Sequence, residues 1–178
     1  MRKTALLFIA FVLLASTSSL WAFEPDTSDE LQLSVAKAIL DLQNKDPGMS
    51  KFFDGAAGYA VFPSVGKGGI GIGGAHGKGI VIVDNKAVGR TSLSQVTVGF
   101  QLGGQVYAQF IFFKDATALG HFQRGNWEMG AQASAVAVTL GASADADYDK
   151  GVAVFTNVGG GLMYEASIGG QKFKYEDM

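Results

Sequence analysis

Apolar residues recur along this chain at two spacings, and the change from one to the other divides it. Between Ser28 and Asn44 they fall at helical intervals: Leu31, Val35, Ala38, Ile39 and Leu42 make one face, while Leu33, Ala36 and Leu40 make a second on nearly the opposite side. Thr27-Ser28-Asp29-Glu30 has the form of a capping box with Thr27 as the cap, and Asp46-Pro47-Gly48 stops the helix. A helix with two apolar stripes needs two partners. The expected arrangement buries it between a sheet and a short segment, Pro47 to Asp54, carrying Met49, Phe52 and Phe53. The alternative gives the second stripe to a membrane interface, although only Lys37 and Lys45 stand beside it.

From Gly58 onward the period shortens to that of strands. An apolar run from Tyr59 to Val65 leads into alternating glycine and isoleucine, Gly69 to Gly73, and closes on Ile80 to Val83, which predicts two strands meeting at a glycine turn. With Ile70 and Ile72 on one face, Gly69, Gly71 and Gly73 leave the other bare, room for a helix, another strand or an acyl chain. Asp84-Asn85-Lys86 reads as a turn, Ala87 to Phe113 as two strands interrupted at Gly103-Gly104, and Asp115 as the cap of a short helix reaching about Phe122. Trp127 to Ala146 alternates most regularly, with Ala131, Ala133, Ala135 and Ala137 on one face and Gln132, Ser134, Val136, Val138 and Leu140 on the other. This predicts one long strand. If its alanines and the earlier glycines share a side of one sheet, they line a shallow groove or accept a closely packed helix.

The chain also repeats itself. Gly58 to Gly68 aligns with Gly151 to Gly161 at seven of eleven positions, and each copy runs on to a Gly-Gly pair. We expect two equivalent hairpins in one sheet, related by a pseudo-twofold. The fold class predicted from these patterns is α+β: a strongly curved antiparallel sheet or partly closed barrel, with the N-terminal helix and one or two short helices packed on it.

Three runs, AGYAVFPSVGKGGIGIGGAHGKG (57–79), TSLSQVTVGFQLGGQVYAQFIFF (91–113) and GGGLMYEASIGGQKFKY (159–175), resemble the SYLF domain family. That family includes bacterial envelope proteins and eukaryotic proteins that bind phosphoinositides and, in fungi, actin filaments. The resemblance implies a single lipid-binding domain over residues 23–178 and supplies no catalytic site.

Composition narrows the function. Met1 to Ala22 reads as a secretory signal peptide: Arg2 and Lys3, then eleven apolar residues from Ala5 to Ala15, then Ser16 to Ala22 ending small. No cysteine exists, so neither a disulfide nor a lipid-modified cysteine is expected, unlike bacterial relatives that look like lipoproteins. We expect a periplasmic protein, peripheral on a membrane. Beyond residue 22 the chain has 12 basic against 16 acidic residues, a net charge of −4, which argues against nucleic acid as a partner. All 25 glycines fall at or beyond Gly48.

Motifs for chemistry are weak. Gly66-x-Gly68-x-x-Gly71 and Gly69-x-Gly71-x-x-Gly74 fit a dinucleotide fingerprint on paper, but a strand follows where a helix N-terminus is required. Asp145, Asp147 and Asp149 open like a calcium loop, yet Lys150 and Thr156 stand where glycine and a bidentate glutamate belong. Two histidines, no cysteine and no nucleophile elbow give no basis for an enzyme, and no cofactor is expected. Lysines are the better handle. Lys67 and Lys78 flank the glycine turn, and Lys172 and Lys174 stand in the corresponding part of the second copy. With Gly69, Gly71 and Gly73 they are the predicted lipid-binding residues, for anionic phospholipid or another envelope amphiphile. A structural protein with an envelope protein partner is the alternative, and a small outer-membrane barrel a lesser one. Actin is a poor partner for a protein exported by a bacterium.

Overall fold

The structure, a computed structural model, describes residues 23–99, 104–131, 133–158 and 166–178. The predicted signal peptide, Gly103 and the second repeat beyond residue 158 lie outside them, apart from its tail. Helix α1 (Glu30–Lys45) is followed by a 3-10 turn (Pro47–Met49) and α2 (Ser50–Gly55). Strands β1 (Gly58–Val83), β2 (Lys86–Gly99) and β3 (Gln105–Phe113) lead to α3 (Ala116–Gln123). The chain ends through β4 (Trp127–Glu128), β5 (Ser134–Ala137), α4 (Ala142–Asp145), β6 (Val152–Val158), β7 (Ala166–Ser167) and β8 (Lys172–Asp177). The sheet order is β4-β8-β2-β1-β3-β6-β5-β7.

The glycine-rich run folds back on itself as predicted. Although β1 is extended throughout its 26 residues, a Cβ at Gly79 would lie 2.5 Å from the Val61 carbonyl oxygen, and one at Gly77 would lie 3.0 Å from that of Ser64. Its two arms are therefore neighbours, so close at Gly79 that only a residue without a Cβ fits. They reverse beside Gly69, whose φ of 150° belongs to glycine. The first arm pairs with β3 from Gly58 to Lys67 and the second with β2 from Gly71 to Val83. Asp84 and Asn85, both at positive φ, turn β1 into β2 as expected.

The sheet curls. Gln109 on β3 and Gln171 at the start of β8 exchange side-chain hydrogen bonds of 2.8 and 3.1 Å, although β1 and β2 separate their strands. In a flat sheet, strands about 4.8 Å apart would hold them far out of reach. The concave face encloses Phe62, Leu93, Ile111, Phe113 and Phe173, closed by Phe122 of α3. The convex face carries Val61, Ile80, Ile82, Phe110, Phe112 and Phe155, covered by Val35, Ile39 and Leu42 of α1 and by Phe52 and Phe53 of α2. The α+β class with a strongly curved sheet stands. The antiparallel description needs one amendment, because β5 runs parallel to β6.

Four expectations are corrected. The α1 cap is Asp29, not Thr27: its carboxylate accepts the N–H groups of Leu31 at 2.9 Å and Gln32 at 3.3 Å. Asp26 holds both the amide and hydroxyl of Ser28, which places Thr27 in a turn before the helix. Only one stripe of α1 is buried; Leu33 and Leu40 are 43% and 57% exposed. The repeat does not make equivalent hairpins. Its copies flank the same strand, but Val61 faces Phe110 where the later copy offers Phe155, one residue out of step. That slip turns the matching residues to opposite faces, so Phe62 is concave and Phe155 convex. Residues 127–146 form no long strand either. Trp127 and Glu128 pair at the β8 end of the sheet, while Val136 and Ala137 pair with β6 at the other, so the chain between them must cross the concave side.

Candidate functional site

Alternation along β1, β2 and β8 decides which side chains share a surface. Ala75, Val81, Leu93 and Phe173 point into the concave core, so His76, Lys78, Ser92, Ser94, Lys172 and Lys174 point out on the convex side. Register then aligns them. Ser92 pairs with both Lys78 and Lys174, and Ser94 pairs with both His76 and Lys172. Two successive rungs across three strands thus carry three lysines and a histidine on one face, with His76 and Lys78 lining a cleft beside α1. With strands about 4.8 Å apart, the Cα atoms of Lys78 and Lys174 are separated by roughly 10 Å, a span that long flexible side chains close easily.

This convex surface and the helix beside it enclose two depressions. A cleft of about 940 Å³ runs between α1 and the sheet, lined by Leu31, Ser34, Lys37, His76, Lys78 and Val106 among others. A smaller one of about 280 Å³ continues past Lys78 to Ser92, Lys174, Arg90 and Glu176. Lys78 belongs to both. Among the described residues, Lys78 and Lys174 form no ion pair, whereas Lys172 lies 3.8 Å from Glu128 and Arg90 is bound to Asp29. Burial pushes the Asp29 carboxyl up, but the amides of Gln32 and Leu31 and the Arg90 guanidinium outweigh it and hold the group below its ordinary value. Arg90 is thereby committed to fastening α1, which leaves Lys78 and Lys174 as the available charges of the two rungs, with Lys172 held loosely by the exposed Glu128.

Not every predicted residue joins this face. Lys67, paired with Gln105, shares the alternation of the buried Val65 and so belongs to the concave side near the turn. Gly73 shares the alternation of Ala75, Gly71 pairs with Gly99, and Gly69 forms the turn, so the glycine stripe is separate from the lysines. Gly73, by alternation with Ala75, does lie on the same side of the sheet as Ala135, as the groove reading required. Between them, however, that side carries Gln109 and Thr156 as well as Tyr107, whose hydroxyl burial pushes up to about 12. Asp145, Asp147 and Asp149 do not gather; among the described residues no three His, Cys, Asp or Glu come together in a metal-holding group. His76, Val96 and Val106 were not singled out from sequence, and their signal is register, which one strand alone does not carry.

Residues 94–177 match the sequence profile of the Ysc84 family, described as Las17-binding protein actin regulator. Over this stretch the chain is similar to the Ysc84, or SYLF, family. The SYLF match takes in β8 with Lys172 and Lys174 and ends short of the β1 hairpin, which carries Lys78. The chain is also similar to Beta cell expansion factor A of Aeromonas veronii, with 30% identity over 156 residues. That match covers 84% of this chain and 59% of the relative, so the chain spans about three-fifths of the relative's length.

Proposed function

We propose that the protein is an exported, non-catalytic envelope protein, periplasmic and peripheral, that binds anionic phospholipid or another anionic amphiphile through Lys78, Lys172 and Lys174. The observation that carries this reading is the pair of rungs through Ser92 and Ser94, which collects three lysines from separate parts of the chain onto one uncovered face. Each lysine near an anionic surface contributes about 1 kcal/mol, so three acting together hold the protein where one does not. Similarity to a family described as Las17-binding protein actin regulator supports a binding role. Actin is a poor partner for an exported protein, and the lysine cluster favours an anionic lipid surface. A second reading, a protein partner in the envelope, is favoured by the exposed Leu33 and Leu40 of α1.

Sedimentation of residues 23–178 with vesicles separates these readings. We expect binding to equal parts phosphatidylcholine and phosphatidylglycerol, weakened by salt, and none to phosphatidylcholine alone. Combined Lys78→Glu, Lys172→Glu and Lys174→Glu should abolish it, whereas Lys67→Glu should matter little. Failure to bind either vesicle rejects the lipid reading and directs a pull-down from envelope extract.

A further inference from the structure

The convex face changes character toward the reversal of β1. Gly66 pairs with Val106 and Gly74 with Val96, and alternation from the buried Val65, Tyr107, Ala75 and Gln95 turns all four outward. Ile72 lies on the same face, two residues beyond Gly74. Ile72, Val96 and Val106 are 72%, 79% and 63% exposed. Glycines between branched residues keep these five positions flat and apolar, and none of the five is charged.

What distinguishes this patch from an ordinary exposed surface is the charge directly behind it. Along β2, Ser94 lies about 7 Å and Ser92 about 13 Å behind Val96. Those two serines mark the rungs that carry Lys172, Lys78 and Lys174. Lysine stems cover apolar surface while their ammonium groups reach for polar surroundings. With Ile72 and Val96 at the acyl boundary, the three ammonium groups stand at the level of lipid phosphates. The exposed stripe on α1 lacks this order. Lys37, between Leu33 and Leu40, is paired with Asp41, and Glu30 opens the same helix.

We infer that the protein enters an anionic bilayer by this end of the sheet, with Ile72, Val96 and Val106 as the penetrating side chains and α1 left in water. The inference rests on the lipid reading above and adds which surface makes contact and how deep it goes.

The chain contains no cysteine, so a single introduced one takes an environment-sensitive dye without ambiguity. Ile72→Cys, Val96→Cys and Leu40→Cys are labelled in turn and mixed with vesicles of equal parts phosphatidylcholine and phosphatidylglycerol. Blue shifts at positions 72 and 96, quenched by brominated acyl chains, with none at 40, are the expected result. In parallel, combined Ile72→Ser, Val96→Ser and Val106→Ser should weaken vesicle binding about tenfold or more, as expected when branched aliphatic side chains lose an apolar environment. Unchanged binding by that variant, alongside loss in the lysine variant, overturns penetration and leaves the lipid reading standing. A shift at 40 but not at 72 assigns the contact to α1. A shift at 72 that depends on protein concentration and needs no vesicles assigns the patch to a second copy of the chain. Absence of vesicle binding by the unsubstituted protein removes both claims together.

Discussion

The same three strands build two unlike ends of this molecule. Toward Gly58, Val83 and Phe113 both faces of β1, β2 and β3 are covered, one by α1 and α2 and the other by α3, and the filling is aromatic. Phe112 there meets Phe53 at 5.0 Å, Phe52 at 5.6 Å and Phe155 at 5.8 Å. Toward the reversal of β1 the convex face leaves Ile72, Val96 and Val106 exposed and carries glycine and lysine beside them. One strand thus serves stability at one end and leaves an open surface at the other. A surface that already owes nothing to the core is free to change for binding.

The contrast is broken most severely by emptying the covered end. Phe112→Ala should lower stability by about 3–5 kcal/mol, read by urea unfolding, whereas Val96→Ser at the open end should stay within about 0.5 kcal/mol. Equal losses would show that the open end is part of the core after all.

Two glycines sharpen the same comparison. Gly79→Ala forces a Cβ to within 2.5 Å of the Val61 carbonyl oxygen and should cost about 1–3 kcal/mol. Gly66→Ala meets nothing within 4 Å and should be close to neutral. Both are measured by thermal unfolding.

The smallest effect concerns the helical layer of the covered end. Asp46 is only 2% exposed, and its carboxylate accepts the amides of Gly48 at 3.1 Å and Ser143 at 2.8 Å, tying the end of α1 to α4. Burial raises its pKa, but these bonds, with those from the Ser143 hydroxyl and Gly141, outweigh it and hold the group below its ordinary value. A carboxylate lowered in the folded state contributes stability above its unfolded value of about 4, and that contribution disappears as pH falls through the folded value. Asp46→Ala should therefore cost about 1–2 kcal/mol at neutral pH and flatten the acid side of the stability profile. An acid limb of unchanged steepness would place the pH dependence elsewhere, with Asp29 the next group to test.

Local chemistry made much of this fold legible. The inward face of α1, the stop at Asp46-Pro47-Gly48, the reversal in the glycine run, the Asp84-Asn85 turn and the Asp115 cap are all decided by residues within a few positions of one another. The misreadings share a cause. The alternation from Trp127 to Ala146 suits a strand, but strands also need neighbours, and Glu128 and Ser134 find theirs at opposite ends of the sheet. The second stripe of α1 was expected to be buried because apolar spacing does not state how many layers will cover a helix.

The candidate site shows the same division. Lys67, Lys78, Lys172 and Lys174 were picked as a group because the chain repeats, and the repeat copies in fact stand one residue out of step and face opposite ways. All but Lys67 still meet, because β2 lies between the second arm of β1 and β8 and presents Ser92 and Ser94 to both. By itself the amino-acid sequence determined the elements, their turns and the side of each strand that is apolar, since propensity, capping and alternation act over a few residues. Sheet order, register and curl were decided only in the tertiary structure. They depend on contacts between residues as distant as 78 and 174, and a slip of one position would turn any of these lysines to the other face.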